Sequence, residues 1–256
     1  MEFQEKIRQQ KGKKRIVMLT AYDFQTAKIL DGVGIDLILV GDSLGMVVQG
    51  FADTKSVTMK DMTYHTRAVS RGARKTPTIG DMPIKSYDTP KDSLENAKEF
   101  LDAGAHGVKI EGNRSDVVKT LVKAGIPVMG HVGMLPQTSE SYTVKGKTLE
   151  EAEKILVDAE ELDALGVFSI VLECVPESLA KKITEHVRAP TIGIGAGKYC
   201  DGQVLVINDM LGLDGDFKPK FVKKYADLNA VVKKAVATFK EEVLAGEYPD
   251  DEHTYH

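Results

Sequence analysis

The sequence predicts an α/β chain of the (β/α)8 TIM-barrel class, parallel and eight-stranded, with a helix at its N-terminus. Three observations carry that expectation. The chain has 256 residues, close to the ~250 of a single such barrel. Eight short apolar runs are spaced out along it by helix-patterned segments, and neighbouring parallel strands need crossovers of that kind. Five of the runs end in an ionisable residue: Asp42 after Gly41, Asp81 after Gly80, Glu111 after Ile110, His131 after Gly130, and Glu173 after Leu172. Packing gives no reason for charge at those positions. A barrel does, because the C-terminal ends of all its strands converge on one face, where active sites of such folds sit.

Taken in order, residues 15–20 read as strand one, and residues 24–34 as a helix with Gly32 and Gly34 as stop signals. Residues 36–40 are strand two, and residues 42–57 read as a long glycine-containing loop at the active site. Thr58 opens a helix carried by Met62, Ala68 and Val69. Residues 76–80 are strand three. Residues 90–103 are a helix with proline in its first turn and Gly104 at its end. Residues 107–110 are strand four, residues 115–124 a helix capped by Ser115 and stopped by Gly125, and residues 127–130 strand five.

Residues 134–147 break the rhythm. They are polar, rich in Gly, Ser and Thr, and aperiodic, the character of a lid over the catalytic face. Residues 149–165 resume as an amphipathic helix with Ala152, Ile155, Leu156, Ala159 and Leu162 on one side. Strand six (168–172), a helix (176–187), strand seven (190–194), strand eight (203–207) and a long closing helix (221–244) follow. The acidic, aromatic tail from 246 to 256 is expected to fray. With no internal repeat, low-complexity tract or linker, residues 1–256 read as one domain.

Composition bounds the function. A net charge of −4 offers no basic field to a nucleic acid. No apolar run approaches the ~18 residues of a membrane span, and the charged N-terminus lacks the apolar core of a secretory signal. The two cysteines, Cys174 and Cys200, follow neither a disulfide nor a zinc pattern, which fits a reducing, cytoplasmic setting. The basic cluster at residues 11–15 reads either as an anion patch or as a solvated connection between helix and strand.

The chemistry lies in the strand ends. Asp42 and Asp81 on neighbouring strands make a hard oxygen site, suited to Mg2+ rather than Zn2+; singly, each Gly-Asp could instead cap the turn that follows. Lys109 and Glu111 flank Ile110, so they point to the same side of strand four. An inward lysine there either neutralises a substrate anion or forms a structural ion pair with Glu111. His131 sits among small neighbours with room for a ligand, though a lone histidine is also a common core residue. Glu173, emerging from an apolar strand, is a candidate general base or else a cap for the helix that follows. The run Gly193-Ile194-Gly195-Ala196-Gly197 does not match the dinucleotide fingerprint and reads as a tight turn.

Eight segments together resemble the ketopantoate hydroxymethyltransferase family: TAYD at 20–23, VGDSLGMVVQG at 40–50, GDMP at 80–83, VKIEG at 108–112, GHVG at 130–133, LECVP at 172–176, and PTIGIGAG with DGQVLV between 190 and 206. The chain departs from the family's usual pattern at Met134-Leu135-Pro136-Gln137 and at Ile84-Lys85-Ser86-Tyr87. The resemblance implies a (β/α)8 barrel that uses Mg2+ and 5,10-methylenetetrahydrofolate and assembles as a homodecamer, a pentamer of dimers. It implies that Asp42 and Asp81 bind the metal with Glu111 nearby through water. It also implies that Ser43, Lys109 and His131, with the two aspartates, hold the α-keto acid, and that Glu173 is the catalytic base in forming a Mg-stabilised enolate. The alternative is a Mg-dependent enzyme of the phosphoenolpyruvate mutase and isocitrate lyase kind, which shares the barrel and a Gly-Asp-Ser-like second strand. The Lys-Lys-Cys-Gly-His-type loop of those lyases is absent here.

Overall fold

A computed structural model of the chain describes residues 2–213 and 219–256. Met1 and residues 214–218, which the single-domain expectation includes, lie outside the described residues. Contacts divide the chain into two compact units, Met1–Val206 and Ile207–His256.

The first unit is a closed barrel of eight parallel strands in sequential order: β1 (Ile16–Thr20), β2 (Leu37–Val40), β3 (Thr78–Asp81), β4 (Gly107–Glu111), β5 (Val128–Gly133), β6 (Ser169–Glu173), β7 (Thr191–Ile194) and β8 (Gly202–Leu205). β2, β3, β4 and β6 are buried on nearly every residue, as strands covered on both faces must be, whereas β1 and β8 each expose one residue, Val17 and Gln203. The helices are α1 (Phe3–Gln10), α2 (Phe24–Val33), α3 (Leu44–Val47), α4 (Met59–Gly72), α5 (Pro90–Asp102), α6 (Ser115–Lys123), α7 (Leu149–Leu165) and α8 (Glu177–His186). Their starts follow from local chemistry. The side chains of Asp23, Thr58, Thr89 and Thr148 accept from the backbone N–H three residues on, and Thr58 completes a capping box with Asp61. Left-handed glycines at 34 and 166 end α2 and α7.

Three expectations shift. Ser115 is the first residue of α6 rather than its cap; its hydroxyl donates to Asn113 Oδ1 at 2.6 Å instead. The 42–57 loop contains a single helical turn, α3. In keeping with the tight turn read at 193–197, no helix separates β7 from β8: residues 195–201 return directly, since that stretch has no apolar stripe to lay on the barrel. Strand eight ends at Leu205, two residues early.

The floor of the barrel is stoppered by α1. Ile7 joins Ile16, Met18, Leu37, Ile79, Met129, Phe168, Val171 and Ile192 in the central cluster, with Phe3 packed beside it. The Phe3 ring meets Phe168 edge-on at 5.4 Å, and Arg8 donates to the carbonyls of Gly166 and Val167. Burying each large apolar side chain is worth roughly 1.5–3 kcal/mol.

The second unit contains α9 (Ile207–Leu211) and α10 (Leu228–Ala245). The long helix begins at 228, not 221, because Asp227 accepts from Ala230 N and so caps it there. The tail does not simply fray. Asp250 caps a short turn at Asp251–His253, and the Tyr248 ring lies against Phe239.

Candidate active site

Parallel register brings the strand-end residues together. Asp81 is the lateral partner of Lys109, Glu111 of His131, and Gly133 of Glu173. Adjacent strands lie ~4.8 Å apart, so side chains pointing the same way from these positions must meet.

Lys109 Nζ donates to both oxygens of Asp81, at 2.8 and 2.9 Å, and stands 3.9 Å from Glu111 Oε1. The ion pair is therefore with Asp81, across the sheet, more than with Glu111 along the strand. Asp42 lies beside Asp81, its backbone N–H 3.4 Å from Asp81 Oδ2. Its own carboxylate accepts from Gln137 Nε2 at 2.9 Å and caps no helix. His131, fully buried, stands between two carboxylates: Nδ1 is 3.5 Å from Glu111 Oε1 and Nε2 is 3.2 Å from Glu173 Oε2. Neither approach is well enough aligned to count as a strict hydrogen bond, but both lie within ion-pair reach. Ser43 Oγ shares a 2.8 Å hydrogen bond with Tyr22 OH. Glu173 does not cap α8, whose N-cap is Pro176.

Backbone geometry holds Glu173 in place. Gly133 takes φ +103, and a Cβ there would stand 2.3 Å from the Glu173 carbonyl oxygen, so only glycine fits. Cys174 takes φ +47, a left-handed conformation costing a non-glycine residue ~1–2 kcal/mol. It is pinned by Cys174 N donating to Ile194 O and by Lys145 N donating to Cys174 O, both at 2.9 Å. Gly80, before Asp81, has a similar reason: a Cβ would lie 2.2 Å from the Phe100 ring.

The electrostatics are lopsided. Burial, then the charges of Asp81 and Glu111, push the Asp42 carboxyl well above the usual range. Burial also raises Asp81, against the pull of Lys109. Burial alone would discharge Lys109, but Asp81, Glu111 and Asp42 outweigh it and hold it charged. Burial and Lys109 likewise oppose charge on His131, while Glu111 and Glu173 carry its pKa up to about 9. Glu111 is lowered despite its burial, by His131, Lys109 and the Gln137 N–H.

Does this donor set suit a cation? Glu111 Oε1 is buried without a hydrogen-bond partner, an acceptor with coordination to spare. Among the described residues no three acidic, His or Cys side chains close a cage by themselves. Mg2+ is usually held by one or two carboxylates and completed by water and substrate oxygens, and Asp42 beside Asp81 offers such a pair. The residues fit.

The seven site residues expected from the sequence, Asp42, Ser43, Asp81, Lys109, Glu111, His131 and Glu173, thus lie at one mouth. Two residues were missed. Gln137 and Tyr87 enter from loops, and neither a neutral amide nor a tyrosine in an aperiodic segment carries a spacing signal.

The chain matches the family described as ketopantoate hydroxymethyltransferase over residues 2–251. The chain belongs to the ketopantoate hydroxymethyltransferase family of enzymes. A 3-methyl-2-oxobutanoate hydroxymethyltransferase of Caldicellulosiruptor saccharolyticus is 50% identical over 97% of this chain and 96% of its own. A namesake of Syntrophus aciditrophicus is 51% identical over 96% of this chain and 92% of its own. Among solved structures, 2,3-dimethylmalate lyase, described as a PEP mutase/isocitrate lyase superfamily member, superposes with a TM-score of 0.63 at 14% identity, covering 100% of this chain and 92% of that one. At that identity the likeness is one of fold.

Proposed function

We propose that this chain transfers a hydroxymethyl group from 5,10-methylenetetrahydrofolate to 3-methyl-2-oxobutanoate, giving ketopantoate for pantothenate synthesis. The observation that carries this reading is the arrangement at the mouth: a hard carboxylate pair on one side and, across a buried histidine, Glu173 on the other. The 50% identical relatives named for that substrate support it. Asp42 and Asp81 would hold Mg2+, with Glu111 behind them. Bound there, the ion would supply Lewis acidity to the keto and carboxylate oxygens of the substrate and so acidify its C3–H.

The chain's own residues do the rest. Ser43, positioned by Tyr22, and Lys109 bind the keto acid. Glu173 takes the C3 proton, and His131, cationic at neutral pH, orients it. Lys109, held charged, stabilises the negative charge that builds on the keto oxygen. The resulting carbon nucleophile bonds to the methylene carbon of the folate; both C–N bonds of that carbon break, water supplies the hydroxyl oxygen, and tetrahydrofolate leaves with the nitrogens reprotonated. The chain works in this reading as one functional domain in a cytoplasmic homodecamer. Apolar side chains left bare on α2, Ile29 and Val33, suit assembly. Among the described residues no helix is long and apolar enough to cross a membrane.

The test is NMR of 3-methyl-2-oxobutanoate with enzyme. Conversion that requires both Mg2+ and methylene-folate is the expected result; conversion without the folate, or cleavage of a carbon–carbon bond, would reject it. Light scattering checks assembly, with a particle far above the 28.0 kDa monomer expected.

A further inference from the structure

Gln137 is 1% exposed, on the aperiodic stretch after β5, and it uses every polar atom of its side chain. Its amide Nε2 donates to Asp42 Oδ2 and to the Met82 carbonyl, both at 2.9 Å. Its Oε1 accepts from Tyr87 OH at 2.5 Å. Its backbone N–H donates to Glu111 Oε2 at 3.1 Å. One residue thus spans two carboxylates, one just after β2 and one at the end of β4.

The amide can sit only one way. Flipped, its oxygen would face a carboxylate and a carbonyl, both acceptors, and its NH2 would lose both of them. Met82 O and Tyr87 OH therefore fix the orientation from opposite ends. Charge explains why an amide stands here. Lys109 is committed to Asp81, so Asp42 has to be held by another donor. A second cation would cancel the negative charge that a metal needs, whereas an amide fixes the carboxylate and leaves its charge intact.

We propose that Gln137 is a positioning residue for the cation site, setting Asp42 and Glu111 before the ion arrives, and that Tyr87 in turn sets Gln137. The inference rests on the Mg2+ reading above. It also gives the 134–147 stretch a duty: the loop must be in place for the two carboxylates to be held.

The experiment measures uptake of Mn2+, a paramagnetic stand-in for Mg2+, by electron paramagnetic resonance. It uses the full chain as wild type, Gln137→Met and Tyr87→Phe, each checked for cooperative thermal unfolding. Methionine keeps the length of glutamine and removes its hydrogen bonds. Loss of such a supporting partner typically weakens metal affinity ~10–100-fold, and that is the expected result for Gln137→Met. Tyr87→Phe, which removes one hydrogen bond at one remove, is expected to weaken it about fivefold. A merely structural role would lower the melting temperature and leave the affinity of the folded molecules unchanged. A folded Gln137→Met that binds Mn2+ as wild type does overturns the proposal. If Gln137→Met does not unfold cooperatively, Tyr87→Phe decides, and wild-type affinity there overturns it. Wild-type chain that takes up no Mn2+ rejects the cation reading itself, a failure visible before any variant is compared.

Discussion

The barrel holds a lysine–aspartate pair at each end, part-buried at the floor and buried at the mouth, and the two behave differently. At the floor, Lys11 meets Asp201 at 2.9 Å; at the mouth, Lys109 meets Asp81 at 2.8 Å. Around the floor pair everything is matched. Asp201 also accepts from the backbone N–H of Gly12 and of Thr191, and Lys11 also donates to the carbonyls of Thr184 and Ala189. Arg15, donating to the Cys200 carbonyl, and Lys14, paired with Asp36, complete the set. The basic run at 11–15 is thus a tether between α1 and the strands, not an anion patch. At the mouth, three carboxylates crowd one lysine, an acceptor on Glu111 goes unused, and Asp42 and Asp81 are both driven toward protonation. A matched ion pair holds a fold; an overcharged, under-satisfied one waits for something to bind.

The sharpest break of that contrast is at Glu173. Glu173→Gln keeps the shape and removes the base, and a general base contributes ~10²–10⁴-fold to rate. The variant should still bind 3-methyl-2-oxobutanoate with Mg2+, yet lose folate-independent exchange of the C3 proton in D2O by that factor. Exchange at the wild-type rate would move the base to His131 or Lys109.

Next comes the floor. Asp201→Ala strands Lys11 among carbonyls, and removing one partner of a buried pair costs ~3–5 kcal/mol, toward the low end here because Lys11 is 22% exposed. Chemical denaturation should show that loss with the Mn2+ affinity of the folded fraction intact.

The matching change at the mouth should have the opposite sign. Asp42 is raised in the folded chain, so its ionised form opposes folding above the ordinary carboxylate range. Asp42→Asn removes that penalty. The metal-free variant should melt higher than wild type while losing Mg2+ activation; a lower melting temperature would mean the crowding is relieved in some other way.

The smallest effect is on pH. His131 rises from 6.5 to about 9 on folding, so its proton stabilises the metal-free chain fully below pH 6.5, and that contribution disappears as pH climbs through about 9. The melting temperature of His131→Gln should lack that alkaline step, and the imidazole 15N shifts of the wild type should report its midpoint.

Much of this was readable in the sequence because strands that end in charge are visible residue by residue: Asp42, Asp81, Glu111, His131 and Glu173 each follow an apolar run. The β7–β8 return, with no apolar stripe in 195–201, reads as a turn and carries no helix. Signals finer than an apolar stripe read less well. The start of α10 was placed too early because Asp227 is one acid among several nearby, and only its bond to Ala230 N marks it as the cap. The one protein partner the sequence offers Lys109 is Glu111, because a sequence displays neighbours two apart; the nearer partner, Asp81, comes from register, a property of the sheet. Gln137 and Tyr87 escaped because hydrogen bonds between loops leave no pattern in either loop.

The helix wedged into the floor has one more consequence. With Phe3 and Ile7 at that end and a packed core above them, the floor gives no path to His131, and access is left to the mouth. Whatever reaches His131 must leave by the way it came. If a small acid lies at the bottom and a bulky carbon donor above it, the acid has to be first in and last out. Turnover then becomes a queue, its order set by a helix at the far end of the molecule from the chemistry.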